Sequence, residues 1–118
     1  MSLSALIDRQ GLTFSGRDLS VGNRTLKMPY TILDAGRFAS GIAVVFDYME
    51  FDKSERCENL WAIDLEGNRV WIAEAPDVPA NAYVSLISTQ PLKAWNFACY
   101  ICTLEPECGR LIEAEFAK

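Results

Sequence analysis

Histidine is missing from this sequence altogether, and nowhere do its basic residues cluster. Without imidazole there is no serine or cysteine triad of the usual type, no histidine-ligated zinc, and no general base with an ordinary pKa near neutrality. Eleven Lys and Arg are scattered singly against sixteen Asp and Glu, giving a formal charge of −5 over 118 residues. Nucleic-acid binding and polybasic membrane binding both rest on clustered cations, so neither is expected. No apolar run approaches the ~18 residues of a membrane helix. The opening Met1-Ser2-Leu3-Ser4-Ala5-Leu6-Ile7-Asp8 lacks the charged start and long apolar stretch of a secretory signal, which points to a cytoplasmic chain. Met1-Ser2-Leu3 is compatible with a cloning remnant, and residues 1–10 with a flexible lead-in. Phosphate-binding and dinucleotide-binding Gly-rich loops are absent, as is a calcium loop, so no cofactor is expected.

Cysteine is too sparse for a disulfide scaffold. The four are Cys57, Cys99, Cys102 and Cys108. Secreted domains stapled by disulfides are usually shorter and richer in cysteine. Cys99-Tyr100-Ile101-Cys102 does have C-x-x-C spacing, which raises zinc or thiol redox chemistry. Redox pairs sit at helix N-termini, however, whereas this pair falls within an apparent strand. Residues three apart in a strand face opposite ways, so the two sulfurs diverge. The expected role is that of small buried hydrophobes. A metal site at Cys99 and Cys102 is the lesser alternative, because only one pair has ligand spacing.

Helical periodicity is also lacking after the first ten residues, while period-two stretches abound. In 41–50, Ile42, Val44, Phe46 and Tyr48 form one face, and Ala43, Val45 and Met49 make the other mostly apolar. Such a strand belongs in the middle of the structure. Residues 50–58 are charged and read as a solvated loop. In 59–72, a strand bearing Trp61, Ile63 and Leu65 turns at Gly67, with Asp64 accepting from turn amides, into a strand bearing Val70 and Ile72. A proline-marked loop spans 74–82. Strands are then expected at 83–88, 92–95 and 98–104, and Glu105-Pro106-Glu107-Cys108-Gly109 supplies a turn. The last strand sets Ile112, Ala114 and Phe116 on a buried face against Glu113 and Glu115. The N-terminal third contributes short strands at 12–14, 24–28 and 31–34, broken by Gly16, Gly22 and Pro29. The expectation is an all-β single domain over 1–118: nine or ten short strands in antiparallel meanders, packed in a sandwich-like way.

Two of these units carry a resemblance. Residues 59–71, Asn-Leu-Trp-Ala-Ile-Asp-Leu-Glu-Gly-Asn-Arg-Val-Trp, resemble the strand–turn–strand unit of quinoprotein-type β-propeller blades, and 100–112 look like a second copy. The second copy departs by having Glu105 for the aspartate and Cys108 where Thr is common. The chain from about Thr25 onward is also similar to a group of small uncharacterised bacterial proteins. The shared segments are Met28-Pro29-Tyr30-Thr31-Ile32, Ile42-Ala43-Val44-Val45-Phe46, the two hairpins and the terminal Phe116-Ala117-Lys118. These motifs specify fold rather than activity, and no quinone-binding residues map onto them. A closed propeller needs at least four blades of about 40 residues, so this chain must pack its sheets face to face or complete its core with a second copy.

Function is thereby narrowed to two readings. The first is a non-catalytic interaction module of a bacterial cytoplasm, binding another protein or a second copy of itself. Its sheet edges and the hairpin tip Ala94-Trp95-Asn96-Phe97-Ala98 motivate it, with Trp95, Asn96 and Tyr100 as candidate contact residues. A tip folded onto the core, burying Trp95, is weighed slightly ahead of an exposed one. Trp61 and Trp71 are expected in the core. The second reading is a small-ligand or carboxylate-based enzymatic domain with a cleft between sheets, drawing on Asp34, Asp47, Glu50 or Asp52.

Overall fold

The computed structural model describes residues 6–52 and 56–117; Met1-Ser2-Leu3 and Lys118 lie outside them. Eleven strands form three antiparallel sheets, one strand more than the upper expectation. The first sheet runs β1 (Leu12–Ser15), β2 (Asp18–Val21), β3 (Arg24–Lys27). The second runs β4 (Ile32–Phe38), β5 (Gly41–Phe46), β6 (Leu60–Ile63), β7 (Arg69–Ile72). The third comprises β8 (Tyr83–Thr89), β9 (Leu92–Asn96), β10 (Tyr100–Leu104) and β11 (Leu111–Phe116), again in meander order. The additional strand is β2, which contributes only one fully buried side chain, Leu19. Gly16 and Gly22, read as breaks, instead sit at the tight turns on either side of it.

The second sheet is the middle layer. Ile42, Val44 and Phe46 join Leu12, Leu19 and Leu26 in one core, while Ala43 and Val45 join Leu86, Ala94, Cys102 and Leu104 in the other. Every residue of β5 after Gly41 is buried, as its two apolar faces require. Trp71 is buried between the second and third sheets; Trp61 is half-buried on the side of the first.

Two buried polar side chains join the layers. Asp34 on β4 accepts from Arg9 Nη2 at 2.6 Å, from the Ala35 amide at 2.9 Å and from the Leu86 amide of β8 at 2.8 Å. Asn59 is fully buried. Its amide donates to the carbonyls of Phe46 and Tyr83 and accepts from the Tyr83 amide, tying β5 to the start of β8. The large majority of buried polar groups are bonded in this way.

Several expectations at strand ends are corrected. Tyr48–Glu50 is a 3-10 turn rather than the continuation of β5, because Asp47 caps it by accepting from the Met49 amide. Leu65 is exposed and lies in the turn, where Asp64 Oδ1 gathers the amides of Glu66 and Asn68 and ends the strand early. Ile112 and Phe116 stay largely in water, since β11 is an edge strand that outruns the core.

Candidate functional site

Meander order sends alternate connections to opposite ends of the molecule. At one end three of them meet: the Tyr48–Glu50 turn with its exit, the loop before β8, and the β9–β10 turn. There Tyr48 and Phe97 meet edge-on with ring centroids 5.4 Å apart. Phe97 is 52% exposed and Met49 62% exposed. Beside them lies a concavity of about 220 Å³ lined by Tyr48, Met49, Phe51, Asp52, Asn81 and Ala82. Phe51 in its wall is backed by an aromatic cluster: its ring centroid lies 4.3 Å from that of Tyr30, which packs in turn on Phe46 and Trp61.

Backbone geometry marks the same place. Among the described residues two non-glycine residues have positive φ, Ala80 at 58° and Cys99 at 71°. Ala80 lines the concavity, and Cys99 closes the turn that presents Phe97. Each such residue costs on the order of 1 kcal/mol, and strain of this kind gathers at functional sites. The turn is built by Asn96, whose Oδ1 accepts from the Ala98 amide at 2.6 Å and whose carbonyl accepts from the Cys99 amide. Asn96 is fully buried, and its Nδ2 is the one buried side-chain polar atom without a partner among the described residues.

The rim is acidic. Glu50 accepts from both the amide and the hydroxyl of Thr31, and those bonds hold its carboxyl below the usual range, with Arg17 adding to the effect. Asp47 and Asp52 stand on the same short stretch of chain. Asp47 accepts from the Met49 amide and Glu50 from Thr31, so these two carboxylates hold the local chain rather than aim at one point.

The structure separates the candidate contact residues. Trp95 is half-buried on the outer face of the third sheet, opposite Ile101, and belongs to neither core. Reading it as a core residue is therefore corrected: its neighbours Ala94 and Asn96 point inward, so alternation turns Trp95 out. Tyr100 is on the opposite face, packed against the core and edge-on to Phe116. Asn96 shapes the turn from beneath. The exposed ring at the tip is Phe97, not its larger neighbour Trp95.

Cys99 lies in the turn rather than the strand, and Cys102 is buried facing Tyr83; burial pushes the Cys102 thiol up. The described residues bring no three of His, Cys, Asp or Glu together as a metal would need. Asp34, the deepest of the candidate carboxylates, is consumed by the contact between β4 and β8.

A family model described as a domain of unknown function, DUF7957, matches residues 10–116, a span that takes in all three sheets and this patch. The chain belongs to that family. Neither a curated protein nor a solved structure matches it. Membership of DUF7957 thus accompanies the fold without assigning an activity to the patch, whose meaning rests on its geometry.

Proposed function

We propose that this domain is a non-catalytic protein-interaction module that docks a partner on the patch formed by Tyr48, Met49 and Phe97. The observation that carries the reading is the convergence of two exposed large apolar side chains with a preformed pocket and the two left-handed non-glycine residues. Exposed aromatic and methionine side chains are typical binding anchors. The partner offers one apolar side chain to the pocket, with Lys or Arg beside it to meet Asp47, Glu50 and Asp52. We place the module in a bacterial cytoplasm, which four unpaired cysteines favour. The likeness to propeller blades belongs to the same reading, supported by the meander order of the two four-stranded sheets.

Affinity capture from the native host tests this reading with wild type and with the double variant M49A/F97A. A partner retained by wild type and weakened by about a hundredfold in the variant, at unchanged melting temperature, is expected for two anchor residues. Equal retention by both proteins removes the patch from consideration.

A small-ligand reading retains one observation in its favour. A concavity of about 760 Å³ lies at the opposite end of the molecule between the second and third sheets, with Phe38, Leu92, Leu104 and Pro106 in its wall. Asp8 is the one carboxylate lining it, so it favours binding of an apolar molecule over carboxylate-pair chemistry.

A further inference from the structure

We propose that β11 is a second docking element, which accepts as a neighbouring strand a partner segment alternating apolar residues with Lys or Arg. β11 ends the third sheet, and no strand among the described residues pairs with its outer side. The Ala117 amide donates to the Cys99 carbonyl. In an antiparallel ladder the bonded positions alternate, so with the register Glu115 to Ile101 and Glu113 to Thr103 the backbone groups of Glu113, Glu115 and Ala117 face β10, the register shifting only before Glu113. The amides and carbonyls of Ala114 and Phe116 therefore point away from the sheet. Only the start of the edge is covered, where Glu74 Oε1 accepts from the Leu111 amide and the Glu74 amide donates to the Gly109 carbonyl.

Side chains say what kind of strand fits. On the core side Leu111 and Ala114 pack against the core and Phe116, 60% exposed, rests edge-on against Tyr100, while Ile112, 57% exposed, stands at the register shift and lines the 760 Å³ groove. On the outer side Glu113 and Glu115 are exposed, and no ion pair or side-chain hydrogen bond engages either among the described residues. The nearest outer-face cation in the Glu113 row is Lys93, two strands away across Thr103. An added strand thus meets an apolar row on one side and two unneutralised carboxylates on the other.

Those carboxylates also oppose the simplest occupant in every register centred on the middle of the strand. Two copies of β11 pairing antiparallel keep their faces only in registers centred on a residue. Centring on Glu113 or Glu115 sets that glutamate opposite itself. Centring on Ala114 sets Glu113 opposite Glu115 twice. Like charges directly opposite are destabilising, and charged edges are the usual guard against self-pairing. A strand with Lys or Arg at alternate positions reverses the sign of the interaction, and its backbone completes the ladder as in β-augmentation.

The probes are capped synthetic hexapeptides, one alternating Val with Lys and one alternating Val with Glu, titrated by fluorescence anisotropy against the full chain. The Val/Lys peptide is expected to bind at least about tenfold more tightly than Val/Glu, with affinity falling as salt rises. The double variant E113K/E115K should invert that preference. Ala114→Pro removes an outward amide, a change edge strands tolerate, and should abolish binding of both peptides while the far-ultraviolet spectrum persists. Val70→Ser, on the far edge of the middle sheet, is the control and should bind as wild type. The proposal falls if the two peptides bind alike or not at all, or if the charge-reversed variant still prefers Val/Lys. A folded A114P that binds normally also overturns it, as does sedimentation showing a wild-type dimer that A114P abolishes. Should A114P fail to fold, the charge reversal decides alone.

Discussion

Asp34 and Asn59 are the residues on which the layers most directly depend. Replacing Asp34 by Ala strands the buried Leu86 amide and removes the ion pair to Arg9, and a buried donor left unbonded costs about 1–3 kcal/mol. Urea unfolding of D34A should show a loss of about 3 kcal/mol with an unchanged slope. N59A, which deletes three bonds, should lose a comparable amount. Neither role was legible in the sequence. Asp34 reads there as one of several carboxylates near a strand end, and its decisive partner is 52 residues away. Trp95 shows the converse difficulty: size and apolarity argued for the core, but the pleat, set by its inward neighbours, decided the outcome.

At the scale of elements, the hairpins that turn at Gly67 and Gly109 differ in what their glycines do. Gly67 has φ of +91°, and a Cβ there would meet only Leu26 at ordinary contact distance, 3.5 Å or more. Gly109 has φ of +77°, but a Cβ on it would lie 2.4 Å from Cε3 of Trp71. Gly67→Ala should therefore cost about 1 kcal/mol, for strain alone. Gly109→Ala should cost roughly 3 kcal/mol, because the indole must also move, and its near-ultraviolet circular dichroism should change with it. Both turns were readable from Gly and its flanking residues, since turn chemistry is local. β2 was not, because Asp-Leu-Ser-Val offers too short an alternation to stand out. The burial of β11 was misread for a different reason: alternation gives the face, whereas only the assembled sheets show where the core stops.

The whole molecule should lose stability at both extremes of pH. Asn68 and neighbouring turn amides hold the Asp64 carboxyl below its reference value of 3.8; Arg110 and Thr31 do the same for Glu105 and Glu50, whose reference is 4.5. A depressed carboxylate stabilises the fold above its unfolded pKa, and that contribution fades as pH falls through the folded one. Thermal melts should decline below about pH 4. At the alkaline end, burial raises Cys102 and Cys57 above their reference of 9.0, and burial with the adjacent Cys102 raises Tyr83 above 10.0. The folded state then holds protons that the unfolded chain releases, so stability should fall as pH rises past about 9. Because the middle sheet contributes to both cores, circular dichroism and tryptophan fluorescence should report one shared transition rather than two.

The outward face of the first sheet is a field of Thr13, Ser20 and Thr25 beside the Asp18–Lys27 ion pair, whereas the outward face of the third carries Trp95 and Ile101. That same face carries Lys93, Glu113 and Glu115. The two outer layers therefore differ in kind, one neutral-polar and the other mixing apolar side chains with carboxylates unpaired among the described residues, and the molecule has a correct way up. A handle or label attached through Lys27 would leave the Phe97 tip and β11 free. The same handle on the opposite layer would bring the support against the surfaces that any binding assay has to reach.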